Sequence, residues 1–396
     1  MSWEEVELGS LCEIGRGSSP RPINNQTYFE GGNIPWIKIA DATKSTRYIY
    51  ETKQYVNSYG ASFSRLLPKD SLIIAASGTL GFPMFLGVEG CIHDGWMYFK
   101  DYNGIEKEYL YYQLISLGNY FNSQSYGAAI QNINTGILRD TKINLPPLQT
   151  QKRIADILSA YDDLIENNLK RIKLLEQAAQ NIYKDWFVNL RFPGHENTPI
   201  NEENGLPVGW EKRKLGELVS LQQGFALNKK SRHHISEEVT KYPLLKISDL
   251  FKGIESLFVK DTIPRQFLVE KHEIIFSRTG QVGHAFMGRK GVVYNNCFRV
   301  TPNDKIDSLF LYQTLIEPQF VGYVKGLATG AAQPDLNHGA FKSIEIVLPS
   351  SELQDKFSVL KENNQTLKFN LIEQNTKLKS ARDILLPRLM NRTIEV

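Results

Sequence analysis

Cysteine is scarce in this chain of 396 residues, which has only Cys12, Cys91 and Cys297. Three cysteines that lie far apart argue against both a disulfide framework and a zinc site. The reducing cytoplasm is therefore the expected compartment. No apolar run reaches the ~18 residues that a membrane helix needs, and the acidic first residues lack the apolar core of a signal peptide. We expect neither a membrane span nor a leader.

A strong charge of one sign is also missing, since 46 basic residues stand against 43 acidic residues and give a net charge of +3. This balance permits nucleic-acid binding, but it argues for binding only if the basic residues are sorted onto one face. Hydrophobic residues make up 41% of the chain and charged residues 22%, which is ordinary for a folded protein. The length suggests two to four domains.

Catalytic motifs are absent as well. The sequence has no Asn/Asp-Pro-Pro-Tyr/Phe motif, no glycine-rich cofactor turn after a strand, no Walker loop and no Gly-x-Ser-x-Gly elbow. His93-Asp94 near Cys91 has no counterpart trio in the second half of the chain, and His233-His234 lacks ligand partners at metal spacing. We therefore predict no catalytic residue, metal or cofactor in this chain. A methyltransferase or nuclease acting alone is the first rival interpretation.

The chain is an internal repeat. Six blocks return in the same order at offsets of 201 to 208, including 3–11 as 210–218, 35–41 as 243–249, 73–74 as 274–275 and 145–146 as 348–349. A period this long indicates two copies of a complete unit rather than a solenoid. Each copy starts with ~145 residues of short β-type runs and one helical stretch, which predicts an α+β domain. A long helix then follows a proline, Pro146 in the first copy and Pro349 in the second.

Both predicted helices carry a heptad seam, whose 3.5-residue period needs a partner helix. The second helix should end near Leu386, because Pro387 lacks an N–H. The first seam is predicted at Ile154, Leu158, Tyr161, Ile165, Asn168, Ile172, Leu175, Ala179, Ile182 and Trp186. The second is predicted at Phe357, Leu360, Asn364, Leu367, Leu371, Gln374, Leu378, Ala381 and Leu385.

The two seams are expected to pair in antiparallel fashion, because a globular domain intervenes between the helices. In a symmetric alignment Asn168 falls opposite Gln374-Asn375, where polar residues would fix the register. The alternative, an amphipathic helix packed on its own domain, fits poorly with runs about three times the average helix length of about 11–12 residues.

This pattern predicts two similar globular domains joined by two long helices that form an antiparallel coiled coil with a pseudo-two-fold repeat. The predicted parts are the first domain 1–145, the first helix 146–188, a linker 189–209, the second domain 210–348, and the second helix with its tail 349–396. A helix of 38 residues is about 57 Å long and matches at most about 17 base pairs of DNA. Duplex DNA has the same two-fold symmetry.

The segment 145–158 (LPPLQTQKRIADIL) resembles the start of the conserved helix in specificity subunits of Type I restriction–modification enzymes. The segments 185–194 (DWFVNLRFPG) and 206–217 (LPVGWEKRKLGE) resemble the end of that helix and the opening of the second target-recognition domain. The resemblance covers the whole chain, although 353–357 keeps only part of the helix-start pattern.

The resemblance implies a non-catalytic, cytoplasmic, DNA-binding subunit that reads a bipartite, asymmetric target for DNA methylation and restriction. It also implies partners: double-stranded DNA, two adenine-N6 methyltransferase subunits and the restriction/translocase subunits, with S-adenosylmethionine, ATP and Mg expected on those subunits. A two-headed protein-binding scaffold with a coiled-coil strut is the alternative.

Candidate DNA contacts are side chains that suit phosphates or base edges and lie in glycine-flanked loops. In the first domain they are Arg16, Ser18, Ser19, Lys38, Ser77, Thr79, Gln131 and Asn132. In the second they are Gln222, Gln223, Lys229, Lys230, Arg232, Lys246, Arg278, Thr279 and Gln333. For the basic run at 228–234 a solvated loop is the competing interpretation. For Lys38 and Lys246 the competing interpretation is a structural salt bridge, with Asp41 and Asp249 respectively. Arg278-Thr279-Gly280 is aligned with Ser77-Gly78-Thr79.

Overall fold

The computed structural model describes residues 3–42, 46–78, 80–118, 120–121, 132–330 and 334–396. The chain forms two compact units: unit 1 comprises Met1–Lys170 with Leu371–Val396, and unit 2 comprises Arg171–Asn370. Each unit therefore holds one globular head and one half of each long helix. We call residues 3–145 head one and residues 210–348 head two. The border between the units falls within both long helices, so it neither supports nor contradicts the predicted boundaries between the heads and the helices.

Head one is an α+β domain of short strands and short helices. Its strands are β1 Glu4–Glu7, β2 Glu13–Arg16, β3 Ile34–Ile37, β4 Tyr48–Ile49, β5 Tyr55–Val56, β6 Arg65–Leu67, β7 Leu72–Ala75, β8 Pro83–Leu86, β9 Gly90–Ile92, β10 Trp96–Lys100 and β11 Lys142–Leu145. Its helices are α1 Ile39–Ala42, α2 Ser58–Ser62, α3 Lys107–Ser116 and α4 Thr135–Asp140. The strands form sheets in the orders β2-β10-β7-β8-β4, β5-β3-β9-β6 and β1-β11.

Head two repeats this plan. Its strands are β12 Glu211–Lys214, β13 Val219–Gln223, β14 Ile235–Ser236, β15 Leu244–Leu245, β16 Phe258–Val259, β17 Leu268–Val269, β18 Ile274–Ser277, β19 Ala285–Phe286, β20 Gly291–Val293, β21 Cys297–Pro302 and β22 Glu345–Leu348. The helices α6 Leu215–Leu218, α7 Ile247–Lys252, α8 Ser308–Ile316, α9 Pro318–Leu327 and α10 His338–Lys342 accompany them. The sheets run β13-β21-β18-β19, β15-β20-β17, β14-β16 and β12-β22.

The strand orders confirm the internal repeat, because β13-β21-β18-β19 matches β2-β10-β7-β8 and β15-β20-β17 matches β3-β9-β6. They also correct part of the sequence alignment. The N–H of Ala75 donates to Phe82 O, and the equivalent N–H in head two is that of Ser277, which donates to His284 O. Arg278 therefore corresponds to Ala76 and Thr279 to Ser77. The alignment slipped because head two has one residue fewer between Gly283 and Gly291 than head one has between Gly81 and Gly90.

Two long helices follow the heads: α5 Leu148–Tyr183, which continues as a π-helical turn Lys184–Val188, and α11 Ser351–Met390. A buried glutamine anchors the start of each. Gln151 accepts from the N–H of Glu106 (2.7 Å), and Gln354 accepts from the N–H of Asp307 (2.9 Å). These two glutamines fix the correspondence between the helices at an offset of 203.

The predicted end of α11 near Leu386 is wrong, because the helix continues through Pro387 to Met390. Leu386, Leu389 and Met390 are buried against the core of head one, together with Ile154 and Leu158 of α5. Burial of this last turn offsets the single backbone hydrogen bond that the proline cannot donate.

In unit 1 the two helices are antiparallel, because the contacts Asp162–Arg382 and Asn168–Asn375 ascend α5 while they descend α11. The amide of Asn168 donates to Asn375 Oδ1 at 2.9 Å. The predicted contact of Asn168 is confirmed for Asn375 but wrong for Gln374, whose side chain is exposed. Of the predicted seam in this unit, Ile154, Leu158, Ile165, Asn168 and Leu371 are buried, and Tyr161 and Leu378 are half-buried.

In unit 2 the helices also pair in antiparallel fashion, through Glu176–Lys368 and the rings of Tyr183 and Phe357. Phe357 is buried and Ile172 and Leu175 are half-buried, but the predicted seam positions Leu360 and Leu367 are wrong, because both are exposed. The inward positions belong to Lys361 and Lys368, whose long methylene stems line the seam while their ammonium groups find polar partners.

No helix within the described residues combines the length and the hydropathy that a membrane span needs.

Candidate nucleic-acid interface

Strand register brings several predicted site residues to one edge of head one. Strand β10 is antiparallel to both β2 and β7, with Met97 opposite Arg16 and Trp96 opposite Ala75. The carboxyl ends of β2 and β7 therefore flank the start of β10. We call this edge the loop edge. Its central turn is 93–95 in head one and the equivalent 294–296 in head two.

The central turn of head one holds a group of polar side chains. Arg16 Nε donates to Asp94 O at 2.8 Å, and Arg21 Nη2 contacts Asp94 Oδ2 at 2.5 Å. The N–H of Asp94 donates to Ser19 Oγ at 3.3 Å. The structure thus places Arg16 and Ser19 together, and adds Arg21, which the sequence prediction missed.

Other predicted residues of head one lie on or beside the same edge. Ser77 forms a β-bridge with Asn132, and Ser18 O accepts from Ser64 Oγ at 2.7 Å. Lys38 places its ammonium 4.6 Å from the ring centre of Trp36, and its backbone N–H, rather than its ammonium, bonds to Asp41. Thr79 and Gln131 lie outside the described residues.

The electrostatics of the central turn are positive. Burial lowers the pKa of His93, and the nearby Lys38, Arg21 and Arg16 lower it further against the opposing effect of Asp94. Burial is the largest cause and the three cations add to it, so the surroundings of His93 disfavour a further positive charge. Three basic residues of head one, Arg16, Arg21 and Lys38, thus lie close to the central turn, while Lys100 and Lys142 lie elsewhere and pair with Glu13 and Glu5.

Head two builds its loop edge around Arg278. The guanidinium donates to Gln223 Oε1 at 3.0 Å and to Asp335 Oδ2 at 2.6 Å, and Thr279 Oγ1 donates to Asp335 Oδ1 at 2.6 Å. The Thr279 hydrogen bond and the Arg278 charge lower the pKa of Asp335 despite partial burial. Arg278 thus spans two chain segments and orients Gln223, while Gln222 Nε2 donates to Gln223 O.

The basic run of head two forms a separate exposed turn. Asn228 and Ser231 close it through mutual hydrogen bonds. The side chains of Lys229, Lys230 and Arg232 project from it and form no ion pair with any described residue. Lys246 does form the salt bridge that competed with phosphate contact, at 3.5 Å from Asp249. Gln333 lies outside the described residues.

The two loop edges share one backbone plan and carry different side chains. Arg16 and Gln223 are the last residues of the equivalent strands β2 and β13, and each donates to the carbonyl of its central turn, that of Asp94 or Asn295. The next residue is glycine in both heads, because a Cβ there would lie 2.3 Å from His93 O in head one and 2.2 Å from Tyr294 O in head two. The equivalent positions therefore offer an arginine in one head and a glutamine in the other.

Asp94 and Asp335 hold side chains of the loop edges in place, and neither is among the residues predicted from the sequence. The feature that the two heads share at this turn is a backbone carbonyl, that of Asp94 in head one and of Asn295 in head two, which no side-chain comparison reveals. The paired glycines Gly17 and Gly224 are the sequence signal that could have found this turn, since they mark a close approach of two backbones. Among the described residues no His, Cys, Asp and Glu group could hold a metal ion.

A family model of the Type I restriction modification DNA specificity domain matches residues 1–177 and again residues 207–374. The two matches cover most of the chain. The chain belongs to this family. The repeat in the family match agrees with the repeat in strand order, so each head with its following helix is one copy of the specificity domain.

Relatives and a solved structure agree with the assignment. The chain is 26% identical to the Type I restriction enzyme MjaIX specificity subunit of Methanocaldococcus jannaschii, over 98% of this chain and 92% of the relative. It is 27% identical to the HindI specificity subunit of Haemophilus influenzae, over 74% of this chain and 78% of the relative. A Type I restriction–modification S subunit from M. genitalium has the same fold, with a TM-score of 0.59 at 17% identity, over 98% and 96% of the two chains.

Proposed function

We propose that this specificity-domain chain reads a DNA target made of two different half-sites, one at the loop edge of each head. The observation that supports this best is the pair of loop edges, which have one backbone plan but carry Arg16 in head one and Gln223 in head two. Arginine pairs best with guanine and glutamine with adenine in the major groove. Two heads that differ at this position would read different sequences.

Phosphate contact is the second part of the proposal. Lys229, Lys230 and Arg232 on the exposed turn of head two, and Arg21 and Lys38 beside the central turn of head one, are the cations available for it. Phosphate contacts position a protein on the duplex, whereas contacts to base edges give specificity. Arg278 is held by Asp335 and Gln223, so we assign it the role of orienting the base-reading side chain.

We infer that methyltransferase subunits dock on the long helices and that restriction/translocase subunits join that assembly. Leu164, Leu174, Leu360, Leu367 and Ile384 are large apolar side chains on these helices that are exposed in the isolated chain. Of these, Leu360 and Leu367 lie two turns apart on one face of α11, and neighbouring exposed apolar residues are typical of protein interfaces. S-adenosylmethionine, ATP and Mg would act on those partners, and we expect the present chain to have no catalytic group of its own.

A binding experiment separates DNA recognition from a protein-binding scaffold. The purified chain, alone and with its methyltransferase partner, is titrated with duplexes that carry the split target, at 50 and 200 mM salt. DNA recognition predicts affinity that falls steeply with salt, because bound phosphates release counterions. A scaffold would bind the methyltransferase but show no preference for the target. Methyl transfer by the chain alone would overturn the non-catalytic assignment.

The gap between the half-sites should depend on the long helices. Deleting one heptad from each helix, residues 169–175 and 368–374, preserves the seam and removes about 10 Å of helix. We expect the gap to shorten by about three base pairs with both half-sites unchanged. Inserting one heptad in each helix is the matched control and should lengthen the gap equally. An unchanged gap in both variants would show that the helices do not set the spacing.

A further inference from the structure

Unit 2 contains a cavity of ≈ 270 Å³ between α8 of head two and the two helix segments that pack on it. Its lining includes Ala179, Tyr312, Gln313, Lys361, Gln365 and Lys368. None of these residues belongs to the loop edge, and none contributes to the proposed reading of DNA. The cavity is large enough for a small organic molecule.

A buried cation and unmatched N–H donors line this cavity. Lys361 is only 4% exposed, and its ammonium donates to Gln313 Oε1 and lies 4.8 Å from the ring centre of Tyr312. Because an ammonium can only donate, Gln313 must direct its amide NH₂ group away from it. Gln313 is 2% exposed, and its Nε2 and that of Gln365 have no hydrogen-bond partner among the described residues.

The equivalent place in unit 1 is filled and its charges are balanced. Asp162 accepts from Tyr112 Oη at 2.7 Å and pairs with Arg382. At the offsets fixed by the repeat, Tyr112 corresponds to Gln313, Asp162 to Gln365 and Arg382 to Ala179. Unit 2 therefore has an alanine where unit 1 has the arginine, and the missing side chain leaves the cavity.

The replacement of Asp162 by Gln365 also removes a negative charge from the corresponding place in unit 2. Where unit 1 supplies the Asp162 carboxylate, unit 2 has the neutral Gln365, while Leu158 of unit 1 is replaced by the cationic Lys361. The acidic side chain in the cavity wall, Glu176, is already paired with Lys368. Unit 2 thus presents a buried cation and two amide donors in the place where unit 1 presents a carboxylate.

We propose that this cavity binds a small carboxylate-bearing molecule, whose carboxylate pairs with Lys361 and accepts hydrogen bonds from the side-chain amide of Gln313. The ligand carboxylate takes the role that Asp162 has in unit 1. A buried charge-assisted hydrogen bond is stronger than a neutral one, so the gain on binding is substantial. Burial lowers the pKa of Lys361 to about 7, with a further lowering by Lys368 and an opposing effect of Asp307, and a bound anion would restore its charge.

The proposal predicts that the ligand stabilises unit 2, because a molecule that binds only the folded state raises its stability. Succinate is a suitable probe, with chloride at matched ionic strength as the reference. The measurements are calorimetric titration and thermal unfolding of the full chain at pH 7. We expect saturable binding and a raised melting temperature for the wild-type chain.

Three variants identify the site. Lys361→Met should weaken succinate binding at least tenfold, whereas Lys356→Met, which removes an exposed lysine from the same helix, should leave it unchanged. The double variant Ala179→Arg with Gln365→Asp introduces into unit 2 the arginine and aspartate that pair in unit 1, so that they occupy the cavity, and should abolish binding. If the double variant fails to fold, the comparison of Lys361→Met with Lys356→Met decides. Absence of saturable binding by the wild type, or equal binding by Lys361→Met, would overturn the proposal.

Discussion

The two units share a backbone arrangement and differ in the side chains that occupy equivalent positions. At the loop edge both heads have a strand end, a glycine and a central turn, yet the side chain that the turn holds is Arg16 in one and Gln223 in the other. At the helix junction both units pack α5 and α11 on a helix of the head, yet unit 1 fills the space with a charge-balanced cluster and unit 2 leaves a cavity. The two copies of the fold therefore keep one backbone arrangement while they carry different side chains at equivalent places.

The largest effect should come from breaking the junction of unit 1. Asp162→Ala leaves buried Tyr112 without its acceptor and Arg382 with only the half-exposed Asp383, and should reduce the free energy of unfolding by about 3 kcal/mol. The measurement is denaturant unfolding of the full chain, followed by circular dichroism.

The matched control is Glu176→Ala in unit 2, which breaks the pair with Lys368 where the carboxylate is half exposed. A pair of this kind contributes at most about 1 kcal/mol. Equal losses in the two variants would contradict the distinction between the junctions.

A smaller effect is expected at the loop edge of head one. Arg16→Gln gives head one the residue of head two at this position, and Gln can donate to the same carbonyl, as Gln223 does to Asn295 O. We expect discrimination at one base position of one half-site to change by about 1–3 kcal/mol, while the other half-site stays the same. The measurement is competition binding with duplexes altered one base pair at a time.

The control for Arg16→Gln is Arg153→Gln, which removes the same charge from an exposed position on α5. It should alter neither half-site. A change in both half-sites with Arg16→Gln would show that Arg16 supports the fold rather than the reading of one sequence.

The smallest effect is a pH dependence that only unit 2 should show. Folding lowers the pKa of Lys361 to about 7 from about 10.4 in an unfolded chain, so between these values the unfolded state binds a proton that the folded state does not. Stability therefore rises with pH in this window, by about 1 kcal/mol between pH 7 and pH 8.

The pH dependence is read by comparing wild type with Lys361→Met in the absence of added carboxylates. The free energy of unfolding of Lys361→Met should exceed that of the wild type by the largest amount below pH 7, and this difference should shrink as the pH rises. Lys356→Met serves again as the control and should show a constant difference. A constant difference for Lys361→Met would mean that this lysine stays charged in the folded chain.

The sequence predicted the repeat, the α+β heads and the antiparallel helices, because the spacing of repeated segments and the heptad pattern can both be read from the order of residues along the chain. It placed Leu360 and Leu367 inside, since a leucine is ordinarily the better seam residue. Lys361 and Lys368 took those positions because α8 and Glu176 offer partners to their ammonium groups. Only the folded arrangement shows such partners.

The candidate site was predicted less completely than the fold. Arg16, Ser19, Gln223 and Arg278 of the predicted DNA contacts lie at the loop edges, and their contact with DNA stays a prediction, but their neighbours Arg21, Asp94 and Asp335 were missed. The last two act as acceptors that hold cations in place, and Asp94 does so partly through its backbone. Acceptors of this kind carry no sequence signal unless the chain segments they join are already known to be adjacent.

Mapping methylated adenines across the genome of cells that produce the chain together with methyltransferase subunits tests most directly whether each head reads its own half-site. We predict a single motif in two unlike parts, separated by a gap of fixed length. A continuous motif, or two identical half-sites, would show that the two heads do not read separate and different half-sites.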